Sequence, residues 1–227
     1  MIIAIHQPQY LPYPGFFDKM DKADCFVLLD DVQFKKNEWQ NRNRIPNSQG
    51  WQWLTVPVKY KFGQTLSQLE VDNKMNWRNK HYQALLTNYS KVSFFKEYQA
   101  FFKDVYERNW QRLSPLNIYL IENLKNFLGI KTKLILSSEL DIPGRKTDRL
   151  LDICQKFKAD IYLSGEGGRN YLDLDKFREA AIKVQFQNFA PLVYPQAFSE
   201  NGFQENMSII DLLFNCGRNS LKILRKG

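Results

Sequence analysis

His6, one of two histidines in the chain, sits where a short apolar run breaks into polar residues: Ile2-Ile3-Ala4-Ile5-His6-Gln7-Pro8-Gln9-Tyr10. Pro8 cannot donate to a strand ladder, so the run must end there. His6, Gln7, Gln9 and Tyr10 are then expected to project from the carboxyl end of a first strand. Open α/β sheets bind their ligands in the crevice outside that end. An imidazole so placed would act as a base or polarise a phosphate. The competing reading is a capped strand whose histidine satisfies a buried carbonyl. A second candidate is Tyr162-Leu163-Ser164-Gly165-Glu166-Gly167-Gly168-Arg169, an apolar run ending in glycines. Such glycines permit positive φ and close approach of the backbone to a ligand. The amides of Ser164, Gly165 and Gly167 would form an anion nest reinforced by Arg169, with Glu166 meeting a metal, a ribose or an amine.

Two further stretches carry charge in useful forms. Asp30 to Ile45 holds Asp30, Gln33, Asn41, Arg42 and Asn43 around Phe34 and Trp39. The forks of Arg42 and Arg44 match phosphate or carboxylate bidentately, although a solvated loop pinned by two aromatics fits this stretch equally well. Arg145 lies in Pro143-Gly144-Arg145-Lys146-Thr147, which resembles the end of a phosphate-binding loop. The upstream glycine that such a loop requires is Glu139 here, so a P-loop is not expected. What remains is a basic loop entering a helix near Thr147, its N-terminus open to an anion.

These groups need a frame. Ile2–Ile5 and the run Asp24–Asp30 read as buried strands, with a helix over Gly15–Ala23 between them. In that helix Phe16, Phe17 and Met20 share a face, and Asp18 and Lys19 are expected to point outward. Asp30–Ile45 reads as a polar connection, Trp51–Val58 as a strand near an edge, and Leu66–Val71 as another short strand. Helices are expected over Trp77–Tyr89, Ser93–Glu107 and Trp110–Leu128, the last stopped by Gly129. Their aromatic stripe repeats at helical spacing and belongs to a core rather than a base-stacking platform. Strands follow at Thr132–Ser138, Ala159–Leu163 and Lys183–Phe189, and helices at Asp148–Lys158 and Ser208–Cys216, the last expected to be amphipathic. The fold expected is α/β, a mostly parallel Rossmann-like sheet in one domain of residues 1–227, with an inserted helical section at about 75–128.

Composition narrows the function. Hydrophobic residues at 44% and aromatics at 15% of 227 residues support a substantial core. A formal charge of +8 favours acidic ligands, yet no run of consecutive basic residues forms a nucleic-acid tail. Nucleic acid is therefore not an expected partner. Cys25, Cys154 and Cys216 lie far apart without metal-ligand spacing, so no structural zinc and no disulfide framework are expected. No stretch reaches the ~18 to 20 apolar residues of a membrane span, and the start lacks a signal-peptide pattern, so a cytoplasmic location is expected.

Several stretches together resemble the WbqC-like family of bacterial proteins. They are His6-Gln7-Pro8-Gln9-Tyr10-Leu11-Pro12-Tyr13 with Gly15-Phe16-Phe17, then Asp30-Asp31-Val32-Gln33-Phe34 and Asn41-Arg42-Asn43. Trp53-Leu54-Thr55-Val56-Pro57, Tyr162-Leu163-Ser164-Gly165 and Ser208-Ile209-Ile210-Asp211-Leu212-Leu213-Phe214 complete the set, nearly end to end. The resemblance implies a role in lipopolysaccharide O-antigen or other surface-polysaccharide biosynthesis, on nucleotide-activated, often amino-bearing sugars. Strand, His-containing turn, helix and strand also look like the start of HIGH-type nucleotidyltransferases, although the second histidine of that pattern is missing, with Gln9 or Tyr10 nearby. These likenesses imply transfer or ligation of an acyl or aminoacyl group, with ATP and Mg²⁺ or an acyl-CoA as donor. His6, Glu166 and Asp30 would do the chemistry. Gln7, Gln9, Tyr10, Gln33, Asn41, Arg42, Asn43, Arg145, Ser164, Gly165, Gly167 and Arg169 would bind substrate. The alternative is a non-catalytic nucleotide-sugar or glycan-binding partner of such an enzyme.

Overall fold

β1 (Ile2–His6) and β2 (Cys25–Leu28) run parallel, Ile3 opposite Cys25 and His6 opposite Leu28, joined by the short helix α1 (Pro14–Asp21). Pro14 sits in the first turn of α1, where its fixed φ suits a helix start and its missing N–H costs nothing. The chain then leaves the sheet. It forms an antiparallel hairpin of β3 (Arg42–Asn47) and β4 (Gly50–Thr55), and a small ribbon of β5 (Val58–Lys59) and β6 (Glu70–Val71). Three helices follow: α2 (Trp77–Tyr89), α3 (Phe95–Glu107) and α4 (Leu113–Leu128), the last ended by Gly129 at φ +81°. The sheet resumes with β7 (Lys133–Leu136) parallel to β2. It is completed through α5 (Lys146–Lys156), β8 (Ile161–Ser164), α6 (Leu174–Glu179) and β9 (Lys183–Phe186). The helices α7 (Ile209–Cys216) and α8 (Ser220–Leu224) close the chain. This computed structural model describes residues 1–190 and 192–227.

The five-stranded sheet is wholly parallel in the order β7-β2-β1-β8-β9, an α/β, Rossmann-like arrangement. Alternate residues serve its two faces. Ala4, Phe26, Leu28 and Leu163 pack with α1, the helices α2–α4 and α7. Ile3, Ile5, Val27 and Tyr162 pack on the other face against Leu150, Ile153 and Cys154 of α5 and Phe177 of α6. The excursion between β2 and β7 thus builds its own helical layer onto one face of the sheet. Among the described residues, no helix is long and apolar enough to cross a membrane.

Four elements depart from the sequence reading. Arg42–Asn47 is a strand rather than part of a polar loop. Its alternation puts Asn43 and Ile45 inside and Arg42 and Arg44 half outside, so the period of two is written in polar residues. Leu66–Gln68 is a 3₁₀ turn closed by a capping box from Thr65, and only Glu70–Val71 pairs as a strand. Helix α7 does not expose the polar side of its pattern: Ile209 to Phe214 are all buried, Asp211 included. Helix α1 is likewise buried on every side, so Asp18 and Lys19 point into the protein rather than outward.

Candidate functional site at the switch between β1 and β8

The order of strands reverses between β1 and β8, the position at which open α/β sheets leave a crevice. The pairing shows it directly. β1 follows β2 as far as His6 and Leu28, whereas it follows β8 only from Ile2 and Ile161 to Ala4 and Leu163. Beyond Ala4 the two strands part, and the Lys19 ammonium from α1 lies between their ends. Its Nζ donates to the Ile5 carbonyl at 3.2 Å. A Cβ on Gly165, just past β8, would stand 3.8 Å from the same Nζ. Lys19 is 2% exposed. Its buried neighbour Asp18 is engaged elsewhere, pairing with Lys22 at 2.8 Å and accepting from Gln187 Nε2 at 2.7 Å. Among the described residues no carboxylate pairs with Lys19, and burial pulls its pKa down to about 7.

His6 stands at the same strand end. Its Nδ1 lies 3.0 Å from the Gln7 carbonyl, which only accepts, so Nδ1 carries the proton and Nε2 keeps its lone pair. The ring meets Phe16 edge-on at 5.1 Å. Burial, and then the charge of Lys19, lower its pKa to about 3 against the raising effect of the Gln7 bond. The imidazole is therefore neutral at ordinary pH. Gln7 accepts from Gln40 Nε2, and Gln40 Oε1 accepts from the Lys35 amide at 2.8 Å, which brings the segment before β3 against the His6 loop. Gln9 is buried with its Oε1 unpartnered.

Tyr10 does not project towards the crevice. It is fully buried, its hydroxyl 2.9 Å from His81 Nδ1 and 2.8 Å from the Tyr106 hydroxyl, so it belongs to the core beneath α2 and α3. Leu11 has φ +45°, a left-handed conformation costly for a leucine, and its carbonyl accepts from Asn43 Nδ2 at 2.7 Å. Asn43 is thus a support for the loop, and Asn41 another, its Nδ2 on the Val56 carbonyl at 2.9 Å.

The glycine turn after β8 is a right-handed 3₁₀ helix, Glu166–Asn170, and none of Gly165, Gly167 and Gly168 has positive φ. The conformational freedom expected of them is not used; close packing is. A Cβ on Gly168 would stand 2.1 Å from Ser164 Oγ, whose hydroxyl is buried and donates to the Gly165 carbonyl at 3.1 Å. Gly168→Ala is therefore expected to destabilise the protein by about 1–3 kcal/mol, read as a lower urea midpoint. Glu166, Gly167 and Arg169 are exposed at the rim, with the Arg169 guanidinium 4.2 Å over the Phe186 ring.

The remaining candidates lie around this centre with other partners. Asp30 is buried at the end of β2 and accepts from Ser137 Oγ at 3.2 Å and from the amide and hydroxyl of Ser138 at 3.0 and 2.7 Å. Asp31 accepts from Ser137 Oγ at 2.6 Å and from Arg149 of α5. This carboxylate pair ties β2 to β7 and α5. Arg42 stacks over Trp53 at 4.3 Å and donates to the Asn37 carbonyl, while Gln33 is exposed and bridges to Thr65. Arg145 is exposed at the start of α5, whose Thr147 Oγ1 reaches the Tyr171 carbonyl and the Asp173 amide at 3.4 and 3.2 Å. Cys25, Cys154 and Cys216 are all buried, and burial pushes the thiols of Cys154 and Cys216 up to about 12 and 11.

Comparison with known proteins places this architecture. The model of the WbqC-like protein family matches residues 7–223. The chain belongs to the WbqC-like family. It is also 38% identical over 227 residues to a Mycobacterium tuberculosis protein, Rv1507c, described as uncharacterized; the match covers 98% of this chain and 97% of that one.

Within the WbqC-like fold, the adjacent carboxyl ends of β1 and β8 carry His6, Gln7, Ser164 and Gly165, with exposed Glu166 just beyond. Sequence reasoning missed two of their neighbours, Lys19 and Gln40. Gln40 had no signal of its own. Lys19 had one: it falls one residue before Met20 in a helix so short that little of it can face solvent once both flanking strands are buried.

Proposed function

We propose that this WbqC-like protein is an enzyme of bacterial surface-polysaccharide biosynthesis, the O-antigen class included. It transfers or ligates an acyl or aminoacyl group to the amine of a nucleotide-linked amino sugar. Family membership supports the association with polysaccharide biosynthesis. The observation that carries the reaction class is the pairing, at one strand end, of a neutral imidazole with a buried cation that meets no carboxylate among the described residues. His6 Nε2, acceptor-only, takes an N–H of the sugar amine and holds its lone pair towards the acyl carbon. As the C–N bond forms, the bond to the donor's leaving group breaks, and the proton that the amine gives up leaves with the displaced thiolate or phosphate. Exposed Glu166 lies at the rim where the amine enters. A nucleotide-linked substrate makes the cytoplasm the place of action.

His6→Ala is expected to lower turnover by about 10²–10⁴-fold with an unchanged circular dichroism spectrum. Turnover is measured with acyl-CoAs, or with ATP and free acids, against nucleotide-linked amino sugars. Full activity in the variant overturns the assignment.

A second reading, a nucleotide-sugar or glycan-binding partner without turnover, is favoured by the hairpin. Trp51 and Trp53 are 42% and 38% exposed. Trp53 also lines a pocket of about 390 Å³ with Trp77, Lys80 and His81, an arrangement suited to stacking on the apolar face of a sugar. Tight binding of a nucleotide sugar with no product on prolonged incubation selects this reading.

A further inference from the structure

The three arginines expected to hold phosphate have other surroundings: Arg42 stacks on Trp53, Arg169 on Phe186, and Arg145 is exposed at the start of α5. The cation positioned at the switch point is Lys19 instead. It reaches the parting of β1 and β8 from beneath, makes one hydrogen bond, to the Ile5 carbonyl, and meets no carboxylate among the described residues. An ammonium keeps three donors, and two of these are left over. A buried cation so placed is costly unless an anion completes it. Beside it stands half-buried Gly165, at which a Cβ would lie 3.8 Å from Nζ.

We propose that Lys19 is the seat of a diphosphate group carried by the ligand, whose oxygen reaches Nζ past Gly165 at the β1–β8 crevice. This rests on the reading of the crevice as the substrate site and deepens it, since nucleotide-linked sugars, ATP and acyl-CoA all bear a diphosphate. Binding then brings the missing counter-charge to Lys19 and draws a proton onto it.

The groups facing Lys19 leave that proton to it. His6 on β1 is held neutral down to about pH 3, and Phe26 on β2 is apolar. Asp18 on α1 is paired with Lys22 and Gln187. Tyr13, before α1, has its hydroxyl pushed up by burial, then by Asp18 and Glu166. Glu166, past β8, is exposed.

The test is isothermal titration of the full chain with inorganic pyrophosphate near pH 8, repeated in buffers of different ionisation enthalpy. Wild type is expected to bind with uptake of close to one proton per site. Lys19→Met, its fold checked by near-ultraviolet circular dichroism, is expected to lose at least about tenfold in affinity. Parallel titrations with UDP, ADP and CoA distinguish the sources of the diphosphate, and the one that binds more tightly than pyrophosphate names the carrier. Absence of binding to wild type, binding without proton uptake, or wild-type affinity in Lys19→Met overturns the proposal. The reading of His6 fails separately: full turnover in His6→Ala sinks that assignment while leaving the Lys19 seat standing.

Discussion

Replacing Lys19 by methionine is expected to make the protein more stable. The folded state holds this ammonium at a pKa of about 7 against an ordinary 10.5, with burial as the cause. Each unit of such a gap is worth about 1.4 kcal/mol, so the penalty of keeping Lys19 charged is on the order of several kcal/mol. The sign follows from proton counting. Between the two values the unfolded chain holds the proton and the folded chain does not, so the Lys19 contribution to stability rises with pH across that window. Methionine removes both the penalty and the titration while filling similar space along Phe26. Loss of the bond to the Ile5 carbonyl takes back about 1 kcal/mol. The net expectation is a gain of roughly 2–4 kcal/mol near neutral pH that shrinks steadily towards pH 10.5. Urea midpoints of the two proteins across that range measure it. A variant no more stable than wild type at neutral pH would show that the ammonium is not strained, and the case for a waiting counter-charge would fall with it.

The largest loss is expected from Asp211→Ala. Asp211 is completely buried inside α7, and its carboxylate accepts from four side chains. Oδ1 takes Tyr89 at 2.9 Å and Asn215 at 3.2 Å; Oδ2 takes Tyr194 at 2.8 Å and Gln196 at 2.6 Å. These donors come from α2, α7 itself and the segment before α7, so one carboxylate closes the helical layer over the sheet. Alanine leaves two tyrosyl hydroxyls and a glutamine amide buried without this acceptor; Asn215 keeps its bond to the Asp211 carbonyl at 2.7 Å. Unmet buried donors cost about 1–3 kcal/mol each, and partial relaxation brings the expected total to roughly 3–5 kcal/mol. Asparagine in its place retains one acceptor oxygen and should lose less. Thermal or urea unfolding of the pair tests the ranking, and a loss below about 1 kcal/mol in the alanine variant would mean that the network contributes little.

Much of this fold was legible in local pattern. Trp77–Tyr89 is a helix over the residues expected, and Gly129 and Gly217 end their helices in positive φ as helix-stop glycines do. Ser208 caps α7 from the position expected, its hydroxyl accepting from the Ile210 amide at 3.4 Å. The first strand breaks at Pro8, and His6 stands at its carboxyl end as the proline required. These features depend on a few neighbouring residues, so a window of the chain contains their cause.

The polar interior was not legible, because its causes lie far away in the chain. Lys19 and Asp18 read as the outer face of α1, and they would be so had nothing covered it. Gln187, after β9, donates to the Gly15 carbonyl at 2.8 Å, and Arg225, after α8, clasps Asp21, so segments from the far end of the chain bury that face. Tyr10 reads as a crevice residue, but its hydroxyl meets His81 and Tyr106, 71 and 96 positions on, inside the helical layer. The sequence by itself determined most strands and helices, those of the main sheet included, and the strand ends that could bear chemistry, since periodicity, caps and prolines act within a few residues. Only the tertiary structure decided the order of the strands, and with it the gap between β1 and β8 into which a lysine from α1 projects, with no carboxylate paired to it among the described residues. Strand pairing and helix covering are long-range choices, made by burying faces that no local window contains.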